Sequence, residues 1–245
     1  EMTPDEIVHT NVLGVQNMIH AARAAKVERL IFMSSDKAVN PTNVMGTSKL
    51  LSERLISAAN LSASGPVFSS TRFGNVLGSS GSVVPTFLDQ IKRGVDLTLT
   101  DEAMTRFVMT CNEAADLLVR AAERAEGGEV FVTKMQVMRI PDLAQSVLQL
   151  YAPTLGRDPN EVKIAIVGKR PGEKIYEELM SSEETTRVVE TDAFFIIHPA
   201  IARPGLPKPD FTQGLDEYRS DHQSALDLAA IDKYLADNQI IENAV

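Results

Sequence analysis

The chain has 245 residues, enough for one large core or a core plus a smaller lobe. A formal net charge of −9 argues against general binding to nucleic acid or anionic membranes, while leaving room for a local basic pocket. The single Cys111 excludes an internal disulfide and a cysteine-built metal cluster, and it suits a reducing compartment. With 44% hydrophobic and 23% charged residues the composition is that of a soluble globular protein. No apolar run approaches the ~20 residues of a membrane helix, and no signal-peptide pattern is visible.

The chain opens on Glu1 and runs straight into a helix. Thr3 is placed to cap it, Pro4 fits its first turn, and Glu6 completes a capping box. Ile7, Asn11, Val15 and Ile19 recur every fourth residue and share a face with Ala22, which should pack on a sheet. Asn11 is the polar exception on that face. It either braces a ligand crevice or bonds a local carbonyl, and the sequence leaves both open.

Residues 29–33 form an apolar run that reads as a buried parallel strand, extending to Ser34. Ser34, Ser35, Asp36 and Lys37 stand at its carboxyl end, where open α/β sheets bind their ligands. A helix follows over about 44–59, and on it Met45 and Lys49 are one turn apart on one face. Gly65 and Pro66 break the chain before a second strand, Val67–Phe73. Gly74, Gly78 and Gly81 then make a glycine- and serine-rich loop that allows close backbone approach to a ligand.

The spacing predicts a helix over 85–93 stopped by Gly94, a short strand Leu97–Leu99, and an extended segment over 104–110. Asn112 is placed to cap an amphipathic helix over 113–124, ended by Gly127 and Gly128. Further expectations are a strand over 130–132, a helix Ile140–Tyr151, and a strand over 162–167 leading to Arg170-Pro171-Gly172-Glu173-Lys174. A short helix over 176–180, strand-like runs over 187–190 and 193–197, an irregular segment over 199–219 and a helix over about 224–238 close the chain. His9, His20, His198 and His222 show no metal-ligand spacing, and no metal site is expected.

Three stretches carry a family resemblance. The first reads Ser34-Ser35-Asp36-Lys37-Ala38, then Pro41-Thr42-Asn43, then Met45-Gly46-Thr47-Ser48-Lys49. The second is the loop from Arg72 to Pro85, and the third is Arg170 to Lys174. Together they resemble the extended short-chain dehydrogenase/reductases, and within them the nucleotide-sugar 4,6-dehydratases of the polysaccharide-biosynthesis (CapD-like) type, including the variants with Met in place of Tyr.

That resemblance implies an α/β fold: the C-terminal part of a doubly wound, Rossmann-like parallel sheet plus a smaller substrate-binding α/β lobe. The glycine-rich strand–turn–helix of such a domain is absent from this chain and is expected to precede residue 1. Residues 1–80 are expected to belong to the NAD-binding part, with 104–135 returning to it, and 81–245 mainly to the substrate lobe. The resemblance implies NAD rather than NADP, a UDP-sugar substrate such as UDP-N-acetylglucosamine, no nucleic-acid partner, no membrane segment within this chain, a homo-oligomer, and a cytoplasmic location with an anchor elsewhere left open.

It also implies roles. Asp36 is the acid and Lys37 the base of an elimination, with Ser35 beside them. Ser34, Lys49, Phe73 and Asn11 face the cofactor. Asn75, Arg106 and Arg170 meet the diphosphate, Glu173 a ribose hydroxyl, and the backbone of Val84 the uracil. A desolvated crevice raises an acid and lowers an amine while opposite charges oppose both, so sequence alone leaves the net shift of Asp36 and Lys37 open. Met45 stands where the superfamily has its tyrosine, and a thioether cannot exchange a proton. Ser35, Asp36 or a water must replace it, or the chain is not an ordinary oxidoreductase. A sugar 4-epimerase and a non-catalytic protein on the same fold are the rival readings.

Overall fold

In the computed structural model, residues 3–62, 64–169 and 171–244 are described. Along the chain come α1 (Pro4–Ile7), a π-helical stretch Val8–Leu13, α2 (Gly14–Ala25), β1 (Arg29–Ser35), a 3₁₀ turn Asp36–Ala38, α3 (Val44–Ala58) and β2 (Val67–Phe73). Next are β3 (Asn75–Val76), α4 (Val83–Arg93), β4 (Leu97–Leu99), β5 (Thr105–Met109), α5 (Cys111–Arg124), β6 (Val130–Thr133), β7 (Gln136–Arg139) and α6 (Ile140–Tyr151). The remainder is β8 (Ile164–Ile166), β9 (Glu178–Met180), β10 (Val188–Glu190), β11 (Phe194–Ile197), β12 (Tyr218–Arg219), α7 (Leu228–Asp237) and α8 (Ile240–Ala244).

Two compact units share these elements. The first holds Glu1–Phe73, Ala114–Lys134 and Glu178–Arg219; the second holds Gly74–Glu113, Met135–Glu177 and Ser220–Val245. The sequence places the main division at residue 80, with 104–135 returning to the first part. The observed units divide after Phe73, Ala114–Lys134 returns to the first unit, and so does Glu178–Arg219, whose β10 and β11 lengthen its sheet.

That sheet has the order β1-β2-β6-β11-β10. β1, β2 and β6 are parallel, and β11 and β10 are added antiparallel. The β1–α3–β2 connection is the helical crossover that parallel neighbours require. Val15, Ile19 and Ala22 of α2 and Ile56 of α3 bury against Phe68 of β2, with Leu30 and Phe32 of β1 packed beside them. The fold is thus α/β with a parallel sheet at its centre, as the sequence implies.

In the second unit β3, β5 and β7 form one sheet, and β4 pairs in parallel with β8. Its core gathers Phe87 and Ile91 of α4, Leu143 and Val147 of α6, and Ile231 and Leu235 of α7.

Several expectations are corrected. Thr3 makes no side-chain cap on α1. The first helix is not uniform, because the π-helical stretch displaces the four-residue spacing: Val15, Ile19 and Ala22 are buried while Asn11 is only half-buried. Helix α5 is capped by Thr110, not Asn112: Thr110 Oγ1 accepts from Glu113 N–H at 3.1 Å, and Glu113 Oε2 accepts from Thr110 N–H at 2.6 Å. The short helix expected over 176–180 is the buried strand β9. Arg187 ends a 3₁₀ turn rather than opening a strand. β7 has no counterpart among the expected elements. The last long helix starts at Leu228, where Asp227 accepts from Ala230 N–H.

Candidate functional site

The site of the first unit is built where β1 ends. Along β1 the exposed Met33 is followed by the buried Ser34. The Ser34 hydroxyl is buried and has no hydrogen-bond partner. Ser35 caps the 3₁₀ turn, its Oγ accepting from Lys37 N–H at 3.2 Å. The same hydroxyl donates to Asp36 Oδ1 at 2.5 Å. Lys37 Nζ donates to both carboxylate oxygens of Asp36, at 3.1 and 3.2 Å. Hydroxyl, carboxylate and ammonium are therefore in one hydrogen-bonded chain. The Asp36 side chain is 5% exposed and that of Lys37 39%, so the acid lies inward and the amine reaches out.

Helix α3 is pressed onto this turn. Asn43 caps it, its Oδ1 accepting from Gly46 N–H at 2.8 Å. A Cβ on Gly46 would stand 2.2 Å from the Lys37 carbonyl oxygen, so only glycine permits the approach. One turn on, Lys49 Nζ donates to Met33 O at 2.9 Å and lies 4.9 Å from the centre of the Phe32 ring. Burial pushes the Lys49 amine below its ordinary pKa, and the Glu53 charge partly restores it. Met45 is 36% exposed and is not part of the core.

Asn11 lies in the π-helical stretch and donates to Ser48 Oγ at 2.8 Å, while Ser52 Oγ donates to Asn11 O at 2.7 Å. Its side chain thus bonds α3 between Met45 and Lys49 rather than a local carbonyl. Phe73 is buried and in register with Ser35.

Sequence reasoning missed the group that anchors α3 from below. Arg72 of β2, in register with Ser34, is fully buried. Its guanidinium meets Glu53 at 3.0 and 2.8 Å, Glu184 at 2.8 and 2.7 Å, and Leu179 O at 2.9 Å, which uses all five donors. Burial alone would raise the Glu184 carboxyl, but the Arg72 charge holds it down at about 2. An arginine beginning a glycine loop and a glutamate one turn past Lys49 carry no sequence signal of pairing.

The second unit contains a cavity of about 150 Å³ lined by Asn75, Val83, Phe87, Thr100, Arg106 and Glu173, among others. It brings together three residues expected at the substrate, from positions 75, 106 and 173. Val84 is fully buried in the core and its neighbour Val83 lines the cavity instead. Arg170 lies outside the described residues. Glu173 Oε1 accepts from Thr100 Oγ1 at 3.2 Å.

Asn75, expected at a diphosphate, has its amide directed at protein groups. Its amide donates to Phe107 O at 3.1 Å and to Glu177 Oε2 at 2.7 Å, so both N–H groups are taken. Arg106 is also engaged: Nε lies 3.2 Å from Glu177 Oε1, Nη1 donates to Thr105 O and Ile175 O, and Nη2 to Lys174 O. Glu177 joins the two and was not singled out by the sequence.

Among the described residues no cluster of His, Cys, Asp and Glu could hold a metal, and no helix is long and apolar enough to cross a membrane.

Comparison with known proteins places these features. The family model described as "Polysaccharide biosynthesis protein" matches residues 1–199. An uncharacterized membrane protein of Methanocaldococcus jannaschii is 49% identical over 81% of this chain and 60% of its own length. The capsular polysaccharide biosynthesis protein CapD of Staphylococcus aureus is 43% identical over 75% of this chain and 30% of its own. A UDP-glucose 4-epimerase of Rickettsia akari is 37% identical over 96% of this chain and 69% of its own. The chain thus spans less than two thirds of the length of the first two of these relatives.

Among solved structures, Pen from Bacillus thuringiensis superposes with a TM-score of 0.88 at 40% identity, covering 98% of this chain and 71% of that one. The dTDP-glucose 4,6-dehydratase DesIV of Streptomyces venezuelae, solved with NAD and TYD, shares the fold with a TM-score of 0.60 at 20% identity, over 69% of this chain and 56% of its own. The three motifs, the parallel sheet that presents the first of them, and a family match over four fifths of the residues agree: this chain belongs to the polysaccharide biosynthesis protein family.

Proposed function

We propose that this chain carries the catalytic residues of an NAD-dependent nucleotide-sugar 4,6-dehydratase, with UDP-N-acetylglucosamine as the substrate to test first. The observation that carries the reading is the hydrogen-bonded sequence Ser35–Asp36–Lys37 at the carboxyl end of a parallel strand. Adjacent acid and base are what an elimination needs.

The end of β1 fits the cofactor. The Ser34 hydroxyl is buried without a partner, and Lys49 is fixed by Met33 O with its charge over the Phe32 ring. When bound, NAD supplies reversible hydride acceptance. The chain's own residues supply the proton chemistry. Lys37, as the free amine, takes the proton from C5 of the hexose. Asp36, as the acid, protonates the departing 6-hydroxyl. Ser35, which donates to Asp36, relays the 4-hydroxyl proton that the thioether of Met45 cannot take onto the Asp36 carboxylate and so makes it the acid. The Lys37 ammonium gives its proton back to C5 as C6 is reduced. The net change removes one water, oxidises C4 to a ketone and reduces C6 to a methyl group.

The full-length protein that carries this chain, incubated with UDP-N-acetylglucosamine and followed by mass spectrometry, tests the reading. A product lighter by one water is the expected result. Asp36→Asn and Lys37→Met should each lower kcat by about 10²–10⁴-fold, the range of general acid–base catalysis, with unchanged circular dichroism. An unchanged mass with inversion at C4 by NMR would favour the second reading, a UDP-sugar 4-epimerase, which the Rickettsia relative's name supports. Against it stands Met45, since an epimerase must return a proton to O4. Unchanged biological function in both variants would point to a binding protein.

A further inference from the structure

Away from the Ser35–Asp36–Lys37 turn, the first unit holds a cavity of about 490 Å³, within the range of about 300–1,000 Å³ common for small-molecule sites. It stands at the other end of the same sheet. Glu129 immediately precedes β6, Arg187 precedes β10 and His198 follows β11, and Val130, Ile197 and Val188 are in register. The cavity is therefore at the amino end of the parallel strand β6, whereas Asp36 and Lys37 lie beyond the carboxyl end of β1.

Much of its charged wall is tied down by the protein. Glu129 is buried: Oε2 accepts from Ser69 Oγ at 2.6 Å, and Oε1 accepts from the N–H groups of Glu126 and Gly127, each at 3.0 Å. Arg187 Nε and Nη2 donate to Glu183 at 3.3 and 2.8 Å, and Nη1 donates to the His198 carbonyl. Arg203 Nη1 donates to Glu126 O at 3.4 Å and Nη2 to Gly65 O at 3.1 Å. The Glu126 side chain is exposed, so water screens its charge.

Three other lining groups remain for a ligand. The Phe211 and His198 rings are 5.8 Å apart at 45°, and Lys208 Nζ is 5.6 Å from the centre of the Phe211 ring. Among the described residues the His198 imidazole has no hydrogen-bond partner and the Lys208 ammonium no carboxylate partner. Burial pushes the imidazole below its ordinary pKa, with Glu129 and Glu126 opposing and Arg187 reinforcing. It is therefore neutral at pH 7, with one donor and one acceptor. Pro199, Pro207 and Pro209 add apolar wall beside these groups. A planar ring alone would leave the ammonium uncompensated, and an anion alone would leave the apolar wall wet. A ring joined to a compact anion satisfies both.

We propose that this cavity is a nucleotide site separate from the Asp36–Lys37 turn, taking a nucleoside monophosphate whose base packs against Phe211 and the prolines and whose phosphate meets Lys208 and the His198 N–H. The proposal does not depend on the nucleotide-sugar reading of the turn.

The test follows the His198 Cε1 resonance by NMR in the full-length protein, assigned by its loss in His198→Gln, while UMP, AMP, uridine or inorganic phosphate is added. A monophosphate should move the resonance saturably and raise the His198 pKa, because a bound anion favours the imidazolium. Uridine and inorganic phosphate should each bind at least about tenfold more weakly than the better monophosphate. Lys208→Ala and Phe211→Ala should each weaken that monophosphate by about tenfold. Lys208 is exposed, so its replacement leaves the core intact and keeps the test open where Phe211→Ala loosens the segment. A His198 resonance unmoved by both monophosphates would overturn the proposal. So would inorganic phosphate or uridine binding as tightly as the monophosphates, or undiminished affinity in either folded variant.

Discussion

A methyl group at position 46 would stand 2.2 Å from the Lys37 carbonyl oxygen and 3.1 Å from Pro41 Cβ. Backbone cannot yield as a side chain can, so either α3 or the Asp36–Ala38 turn must move. Gly46→Ala should cost about 1–3 kcal/mol in denaturant unfolding, the range for overpacking, and should lower turnover more than Kd for substrate. A second residue-scale prediction concerns Lys49. The variant Lys49→Met gives up one hydrogen bond to Met33 O but also relieves the burial that depresses the amine. Those terms oppose, so thermal stability should change by less than about 1 kcal/mol. Turnover and NAD affinity should both fall, and an unchanged NAD affinity would remove Lys49 from the cofactor's surroundings.

At the scale of elements, α3 is held at both ends of its functional face. Asn43 caps its start, and Asn43→Ala should cost ~1 kcal/mol. Glu53 ties its middle to β2 through Arg72 and thence to Glu184. Arg72→Met would strand two buried carboxylates and should cost about 3–5 kcal/mol, to the point of poor expression.

A gentler probe of the same cluster is pH. The Glu184 pKa is held down at about 2 in the folded chain, below the ordinary value of 4.5. Its stabilisation is therefore complete above the unfolded pKa and is lost as pH falls from about 4.5 towards 2. It is on the order of 3 kcal/mol, one pKa unit being ~1.4 kcal/mol. Unfolding curves of wild type and Glu184→Gln, recorded between pH 7 and pH 2.5, should converge at the acid end. Parallel curves would show that the carboxylate contributes no linked stability.

The whole molecule carries net charge −9, with a pI near 5.0. The chain should therefore stay in the supernatant when spun with anionic vesicles at 0.15 M salt, where like charges are screened beyond ~8 Å but not attracted. Co-sedimentation would reveal a local basic or apolar surface that the net charge conceals.

The sequence by itself determined the elements and the chemistry-bearing turn. β1, β2, α3, α4 and α6 were legible because hydrophobic period, proline, glycine and capping asparagine act over a few residues, which is the range over which sequence spacing speaks. The Ser-Ser-Asp-Lys stretch was legible for the same reason, since its position at a strand end is a local property.

What only the tertiary structure decided was pairing at long range. Arg72 with Glu184 spans 112 residues, and Asn75 with Glu177 spans 102. No local pattern marks an arginine whose donors will all be used, or an asparagine whose amide will be turned by a distant carboxylate. The strand β9 was mistaken for a helix because three buried residues, Glu178 to Met180, are too few to show a period. The return of β10 and β11 to the sheet of the first unit is likewise a matter of which edge was open. These features depend on the folded environment that desolvates the charges and brings donor to acceptor, and that environment exists only once the chain has closed on itself.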